Sequence, residues 1–380
     1  MSGEVLVVGA SGLVGTAAVN SFIRDGWSVT AVSRRRPEIE SSGITGSGGE
    51  FRHLAIDLRD RSACAAAVAA LPDVACLVYA ASYEKPGLVA GWADPEQMLA
   101  NKAMLENVLA PLAVTGSLRH VSLMQGTKAY GVHLHRIPLP AREDAPRDPH
   151  ENFYWLQEDY LTETAASHGF DWTVLRPVGI VGPGYGSAYS TPPVIGVFAA
   201  ICLEESIPFA FPGGDIFPAR QVVDARIVGD ALRWAATAPA ARGQHFNLTN
   251  GEVFCWQELW PSFARQFGLE AAEPRPLSLG AFLPGHAKTW QRIAEAGGLR
   301  VTSLDAVLGQ SHFYADYTFG YGATTPAPPA LVSDVKIRQA GFGAVMNTEE
   351  TFRWAFDGLI DGRVLPRPAE PAPSAKDPAR

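Results

Sequence analysis

Three glycines at the end of the first apolar run constrain this chain more than any other feature. Glu4-Val5-Leu6-Val7-Val8-Gly9-Ala10-Ser11-Gly12-Leu13-Val14-Gly15 reads as a short strand, a tight turn and the mouth of a helix. Val5 to Val8 suit a central parallel strand buried on both faces. Gly9 lets the chain turn, Gly12 lets backbone N–H groups approach a ligand, and Gly15 lets the helix pack against the strand. Val19, Phe22 and Ile23 share one face of that helix, and Asp25-Gly26 stops it. An ordinary strand–helix turn also carries glycine, but here strand, helix and chain position agree. The segment Gly9, Ser11, Gly12, Leu13, Val14 and Gly15 is therefore predicted to hold a dinucleotide pyrophosphate at a helix N-terminus.

The next strand decides which dinucleotide. Trp27 to Val32 reads as a strand ending in Ser33-Arg34-Arg35-Arg36. A site for NAD usually has Asp or Glu at this position, to accept from the adenosine ribose hydroxyls. Ser33, Arg34 and Arg35 offer a hydroxyl and planar guanidinium groups instead, which suit a phosphate dianion. A solvated basic loop is the competing explanation. NADPH (NADP+) is the expected cofactor.

Strand and helix signals alternate through the first half, with strands expected at Phe51–Ile56, Val74–Tyr79, Arg119–Leu123 and Asp171–Leu175 and a helix at Pro95–Ala113. This rhythm predicts an α/β fold: a Rossmann, doubly wound parallel sheet with a smaller, interleaved, mostly helical C-terminal substrate-binding region. The expected division is residues 1–182 for the NADP(H)-binding domain, with 222–250 returning to the sheet. Residues 183–221 and 251–364 would form the capping region, and 365–380, rich in Pro and Ala, a disordered tail. Helices are expected at Val194–Glu204, Val222–Ala238, Trp256–Phe267, Leu331–Ala340 and Thr348–Ile360, a strand at Gln244–Leu248, and loops at Ser41–Glu50 and around Pro212–Asp215. A net charge of −8 argues against nonspecific nucleic-acid binding. Cys64, Cys76, Cys202 and Cys255 lie far apart without a CxxC pair, so no metal is expected and a reducing cytoplasm is the simplest setting. Val194–Leu203 is too short to span a bilayer, so no membrane partner is expected.

The opening resembles the short-chain dehydrogenase/reductase superfamily, whose catalytic acid is the Tyr of a YxxxK helix. That motif is absent. Tyr130 is followed four residues later by Leu134, Tyr154 by Glu158 and Tyr160 by Thr164. A lysine from another segment fits better. The fifth strand runs out through Ser122-Leu123-Met124-Gln125-Gly126-Thr127-Lys128, and the next helix opens near Glu151-Asn152-Phe153-Tyr154-Trp155. Together with Arg176-Pro177, Phe246 to Phe254, Ala315-Asp316 and Ser333-Asp334-Val335-Lys336, these segments resemble the progesterone 5β-reductase/iridoid synthase-like enone reductases, an atypical extended branch of that superfamily. The resemblance covers nearly the whole chain. Trp155 departs from the second aromatic of the family's Tyr pair, and the segment between Lys128 and Tyr154 is shorter than in the plant members.

The resemblance implies catalytic roles for Tyr154 and Lys128 in NADPH-dependent reduction of an enone or enal, Tyr154 stabilising the enolate oxygen and Lys128 assisting. The expected cofactor-binding set is Gly9, Ser11, Gly12, Leu13, Val14, Gly15, Ser33, Arg34, Arg35, Asp57, Leu58, Ala80, Ala81, Gln125, Lys128, Tyr154, Pro177 and Ile180. Asp57 either accepts from the adenine amino group or caps a helix. His133 and His135 read as loop residues rather than metal ligands, and Phe153, Trp155, Phe313, Tyr314 and Tyr317 either line an apolar pocket or fill the core. A carbonyl reductase or alcohol dehydrogenase, and a catalytically silent NADP(H) sensor, remain alternatives. The expected partner is a small enone or other carbonyl compound, and homodimer formation is a further expectation.

Overall fold

Alternation along the first strand sets the layers. In a computed structural model, which describes residues 3–39, 49–85, 92, 94–214, 218–325 and 329–368, Val5 and Val7 pack into one apolar cluster and Leu6 and Val8 into another. Successive strand side chains point to opposite faces, so this strand is covered on both sides.

The chain opens with β1 (Glu4–Val8), α1 (Leu13–Arg24), β2 (Ser28–Val32), β3 (Phe51–Leu54), α2 (Arg61–Ala69) and β4 (Val74–Tyr79). It continues with α3 (Pro95–Ala113), β5 (His120–Met124), α4 (Phe153–His168), β6 (Asp171–Pro177), β7 (Gly179–Val181) and α5 (Thr191–Glu205). After β8 (Phe209–Ala210) come β9 (Val222–Asp224), α6 (Ala225–Ala235), β10 (Gln244–Leu248) and α7 (Trp256–Gln266). Seven strands form a parallel sheet in the order β10-β6-β5-β4-β1-β2-β3. The first cluster buries Ala18, Val19 and Phe22 of α1 with Val228, Ala231 and Leu232 of α6. The second buries Cys64 and Val68 of α2, Leu105 and Val108 of α3, and Leu161 and Ala165 of α4. Helices on both faces make the sheet doubly wound, as expected.

Two compact units result. The first comprises the described residues within 1–180, 221–252 and 330–346, and the second those within 181–220, 253–329 and 347–380. Residues 330–346 therefore pack with the sheet rather than with the capping region assigned from sequence. The Ala141 N–H donates to Leu331 O at 2.9 Å, the Ser333 N–H to Ala141 O at 2.9 Å, and the Asn247 amide to Ser333 O at 3.0 Å. Those bonds keep 331–333 extended, so the helix expected over Leu331–Ala340 covers only Val335–Gln339. Val222–Ala238 divides as well. The β-branched Val222 and Val223 continue as a strand, and the Asp224 carboxylate accepts from the Arg226 N–H at 2.8 Å, which starts the helix at Ala225.

The second unit has an aromatic core. Phe209 stacks on Trp260 with centroids 4.8 Å apart, and Phe198, Phe263, Phe319, Phe352 and Phe356 are fully buried around them. Leu365 packs there too, against Gly196, so the chain is still ordered where the tail was expected to begin. Most of that tail, the Ser41–Glu50 loop up to residue 48, and Asp215 lie outside the described residues.

Candidate active site

Backbone proximity at the carboxyl ends of β1 and β4 builds a dinucleotide cradle. Gly9 sits at φ +83°, and a Cβ there would lie 2.7 Å from the Ala80 carbonyl and the Ala81 nitrogen. No L side chain fits. The Gly9 N–H donates to Val32 O at 2.9 Å, which ties the turn to β2. Gly12 caps α1 without a side-chain acceptor, and Ser11 to Val14 keep part of their surface open. Amides at this helix N-terminus, together with the helix dipole, fit a pyrophosphate.

At the β2 end, Arg34 and Arg35 are exposed, whereas Ser33 is buried and its hydroxyl donates to Arg35 O at 2.5 Å. Of the three residues expected to meet an extra phosphate, only the two arginines present their side chains outward. Asp57 accepts from the Arg59 backbone N–H at 3.0 Å and from its guanidinium at 3.1 and 2.7 Å. Those bonds, with the nearby Arg34 charge, hold the Asp57 carboxyl down to about 2. Asp57 is not the helix cap. Asp60 caps α2, accepting from the Ala63 N–H at 2.9 Å, and Leu58 is buried beneath.

The two residues expected to be catalytic follow the β5 exit. Immediately after β5 a single 3₁₀ turn, Thr127–Tyr130, holds Lys128, and α4 opens at Phe153 with Asn152 as its cap. The Asn152 side-chain oxygen accepts from the Tyr154 N–H at 3.0 Å while its amide donates to Lys128 O at 3.3 Å. One asparagine thereby ties together the two segments that sequence could only place separately. The Lys128 ammonium lies 3.6 Å from the centroid of the Trp92 ring, and the Tyr154 ring meets that indole at 5.2 Å and 79°. A Cβ on Gly126 would lie 3.4 Å from the Tyr154 hydroxyl, so the phenol reaches the start of the Lys128 turn. Burial pushes the Lys128 ammonium down to about 8, against the opposing charge of Glu84.

Trp92 has no place in the sequence-derived set. Its one signal is a large aromatic in the segment beyond the carboxyl end of β4, the edge where sheets of this kind bind ligands. His133 approaches the same indole at 6.2 Å, and burial together with the Lys128 charge holds its imidazole down to about 4. His135 pairs with Asp148 at 2.7 Å, and Asp148 pairs with His150 at 2.7 Å. Among the described residues, no cluster of three or more ligating side chains could hold a metal ion.

One turn into α4, Glu158 stands where a YxxxK helix would carry lysine. It accepts from Arg147 at 2.7 Å, from Gln125 at 2.7 Å and from Arg176 at 3.4 Å, and it pairs with His245 at 3.1 Å. Burial opposes ionisation of Glu158, but His245, Arg147 and Arg176 overcome it and hold the carboxyl down to about 2. Gln125, expected at the cofactor, is engaged on both sides, since its oxygen also accepts from Arg176 at 2.8 Å. Pro177 is buried at the end of β6 and pairs with Leu248, and Ile180 is half-buried. Phe153 packs in a small cluster with Trp92 and Met98, whereas Phe313 and Tyr317 in the second unit are exposed.

Comparison with known proteins agrees with this architecture. The NAD dependent epimerase/dehydratase family matches residues 5–249. The chain is 30% identical to an (S)-8-oxocitronellyl enol synthase of Camptotheca acuminata, over 95% of this chain and 93% of that one. It is 32% identical to an (S)-8-oxocitronellyl enol synthase of Nepeta racemosa and 31% identical to a 3-oxo-Δ(4,5)-steroid 5β-reductase of Arabidopsis thaliana, each over 95% of this chain and 92% of the relative. Among solved structures, the UDP-glucose 4-epimerase of Thermus thermophilus in complex with NAD superposes with a TM-score of 0.61 at 19% identity, over 93% of this chain and 98% of that one. That likeness establishes the fold. The chain belongs to the NAD dependent epimerase/dehydratase family and, within it, to the progesterone 5β-reductase/iridoid synthase-like branch of the extended short-chain dehydrogenases.

Proposed function

We propose that this protein is an NADPH-dependent reductase of activated C=C bonds in α,β-unsaturated carbonyl compounds. The carrying observation is the meeting of Lys128 and Tyr154, from separate segments, on one indole at the sheet edge where the cradle lies. Kinship with enzymes named as a steroid 5β-reductase and as enol synthases supports the same chemistry. NADPH, when bound, would supply the hydride that the substrate β-carbon takes, and water would supply the proton that the α-carbon takes to give the saturated carbonyl compound. As negative charge grows on the carbonyl oxygen, the Tyr154 phenol donates a hydrogen bond to it, a task of the oxyanion-hole kind. Lys128 brings positive charge beside that phenol and strengthens the donor. The amides at Gly12 and the α1 N-terminus would hold the pyrophosphate, with Gly9 and Gly15 giving the turn and the close packing this needs, and Arg34 and Arg35 would take the extra phosphate of NADPH.

The test is NADPH oxidation with 2-cyclohexen-1-one and identification of the product. Cyclohexanone is expected. An allylic alcohol would mean hydride delivery to the carbonyl carbon, and tight NADPH binding without turnover of enones, aldehydes or ketones would mean a sensor; either overturns the proposal. A homodimer in a reducing cytoplasm completes it. The four cysteines, all free thiols and three of them buried, support that compartment. Sedimentation at micromolar concentration tests the dimer.

A further inference from the structure

Trp92 is 5% exposed and lies between β4 and α3. Its ring packs on Phe153 at 4.7 Å, meets Tyr154 at 5.2 Å and has the Lys128 ammonium 3.6 Å from its centroid. Described residues on either side of it are tied to the start of α3. The Lys85 ammonium pairs with Asp94 at 2.8 Å and Glu96 at 2.6 Å, the Lys85 N–H donates to Gln97 at 2.6 Å, and Tyr83 exchanges two backbone bonds with the Asn101 amide, both 2.8 Å. We propose that Trp92 is a positioning residue, an aromatic platform on which the Lys128 ammonium and the Tyr154 phenol are both seated. Its effect on turnover rests on the enone-reductase reading; the seating itself does not.

The physical ground is that a desolvated ammonium needs compensation, and the negative face of an indole supplies it more strongly than any other side-chain ring. Glu84 favours the Lys128 charge, and His133 lies close enough to feel that charge and stays neutral. Asp148 is committed to His135 and His150. Replacing Trp92 by Leu keeps apolar cover over Lys128 and removes the ring face, so the charged form loses support and its titration midpoint falls.

The test reads that midpoint without any reaction, as the pH dependence of Lys128 acetylation in the full-length protein free of ligand, followed by peptide mass spectrometry. The wild-type midpoint is expected at about 8. Trp92→Leu is expected to lower it by about half to one pH unit, a roughly three- to tenfold loss in the charged-to-neutral ratio, with Trp92→Phe falling between. A midpoint that stays put or rises in Trp92→Leu overturns the platform. Should Trp92→Leu fail to fold, Trp92→Phe carries the test, and no downward shift in it overturns the proposal equally. The alkaline limb of NADPH-dependent enone turnover is expected to move with the midpoint. Wild-type protein that reduces no enone while the midpoint still falls upholds the seating and removes the reaction. Enone turnover with an unmoved midpoint does the reverse.

Discussion

Tyr154 and Glu158 stand one turn apart on α4, and their surroundings are opposite in kind. The Tyr154 ring packs on those of Trp92 and Phe153, and Trp92 in turn has the Lys128 ammonium over its face. Around Glu158 the neighbours are two guanidinium groups, an imidazole and an amide. Burial in the first environment pushes the Lys128 ammonium down to about 8. The second is saturated and fixes its anion far below neutrality. The lesson is a division of labour along one helix face. The usual lysine position has become a structural anchor, and on the proposed function positive charge for chemistry would come from Lys128 at the β5 exit instead.

Breaking the anchor should give the largest effect. Glu158→Gln leaves Arg176, itself 5% exposed, without its carboxylate and is expected to cost about 3–5 kcal/mol of stability. Urea unfolding measures it. The pH dependence follows the sign of the shift. The folded carboxyl is depressed from 4.5 to about 2, so this stabilisation is present above about 4.5 and is lost as pH falls through that window. The variant should therefore lack that part of the wild-type acid transition. Wild-type stability in Glu158→Gln at pH 7 would mean that the anchor is not one.

The reverse pattern is expected at Tyr154. Tyr154→Phe keeps the ring on Trp92 and removes only the hydroxyl, so turnover should fall about 10²–10³-fold with NADPH affinity and melting temperature little changed. Enone turnover at wild-type rate would remove the phenol from the reaction. The two substitutions together break the comparison cleanly if each moves the quantity assigned to the other.

How much of this was legible in the sequence depended on whether the information was local. Val5 to Val8 with Gly9, and the cap Asn152 before Phe153, announce themselves through backbone requirements of neighbouring residues, and the structure has them in place. Val222 to Asp224 misled because a short strand feeding directly into a helix shares its apolar residues with the helix pattern. Leu365 misled because its burial depends on room left by Gly196, far away in the chain. Trp92 was invisible for a like reason. Nothing within several residues of it states that Lys128 and Tyr154 will arrive beside it.

A third substitution sharpens the contrast from outside both environments. Arg34→Ala with Arg35→Ala removes two exposed cations that touch neither Trp92 nor Glu158. NADPH affinity is expected to fall about 10–100-fold, as for loss of charge-assisted phosphate bonds, and NADH affinity to change little. Titration of intrinsic fluorescence with each nucleotide checks it, and equal losses for both would place the extra phosphate elsewhere.

The smallest effect should come from the residue that joins the two stretches. Asn152 caps α4 through the Tyr154 N–H and holds the Lys128 carbonyl, so Asn152→Ala is expected to cost about 1 kcal/mol of stability. Asn152→Asp restores the cap, because a carboxylate oxygen accepts from the Tyr154 N–H equally well and favours the helix N-terminus. It cannot restore the bond to Lys128 O, since an ionised carboxylate has no proton to donate. Thermal melts should thus rank Asn152→Asp near wild type and Asn152→Ala below it. Enone turnover should fall in both, because the tie between the Lys128 turn and the Tyr154 turn is lost in both. Turnover that followed the melting temperature would mean that Asn152 serves the helix alone and that Trp92 suffices to hold the pair together.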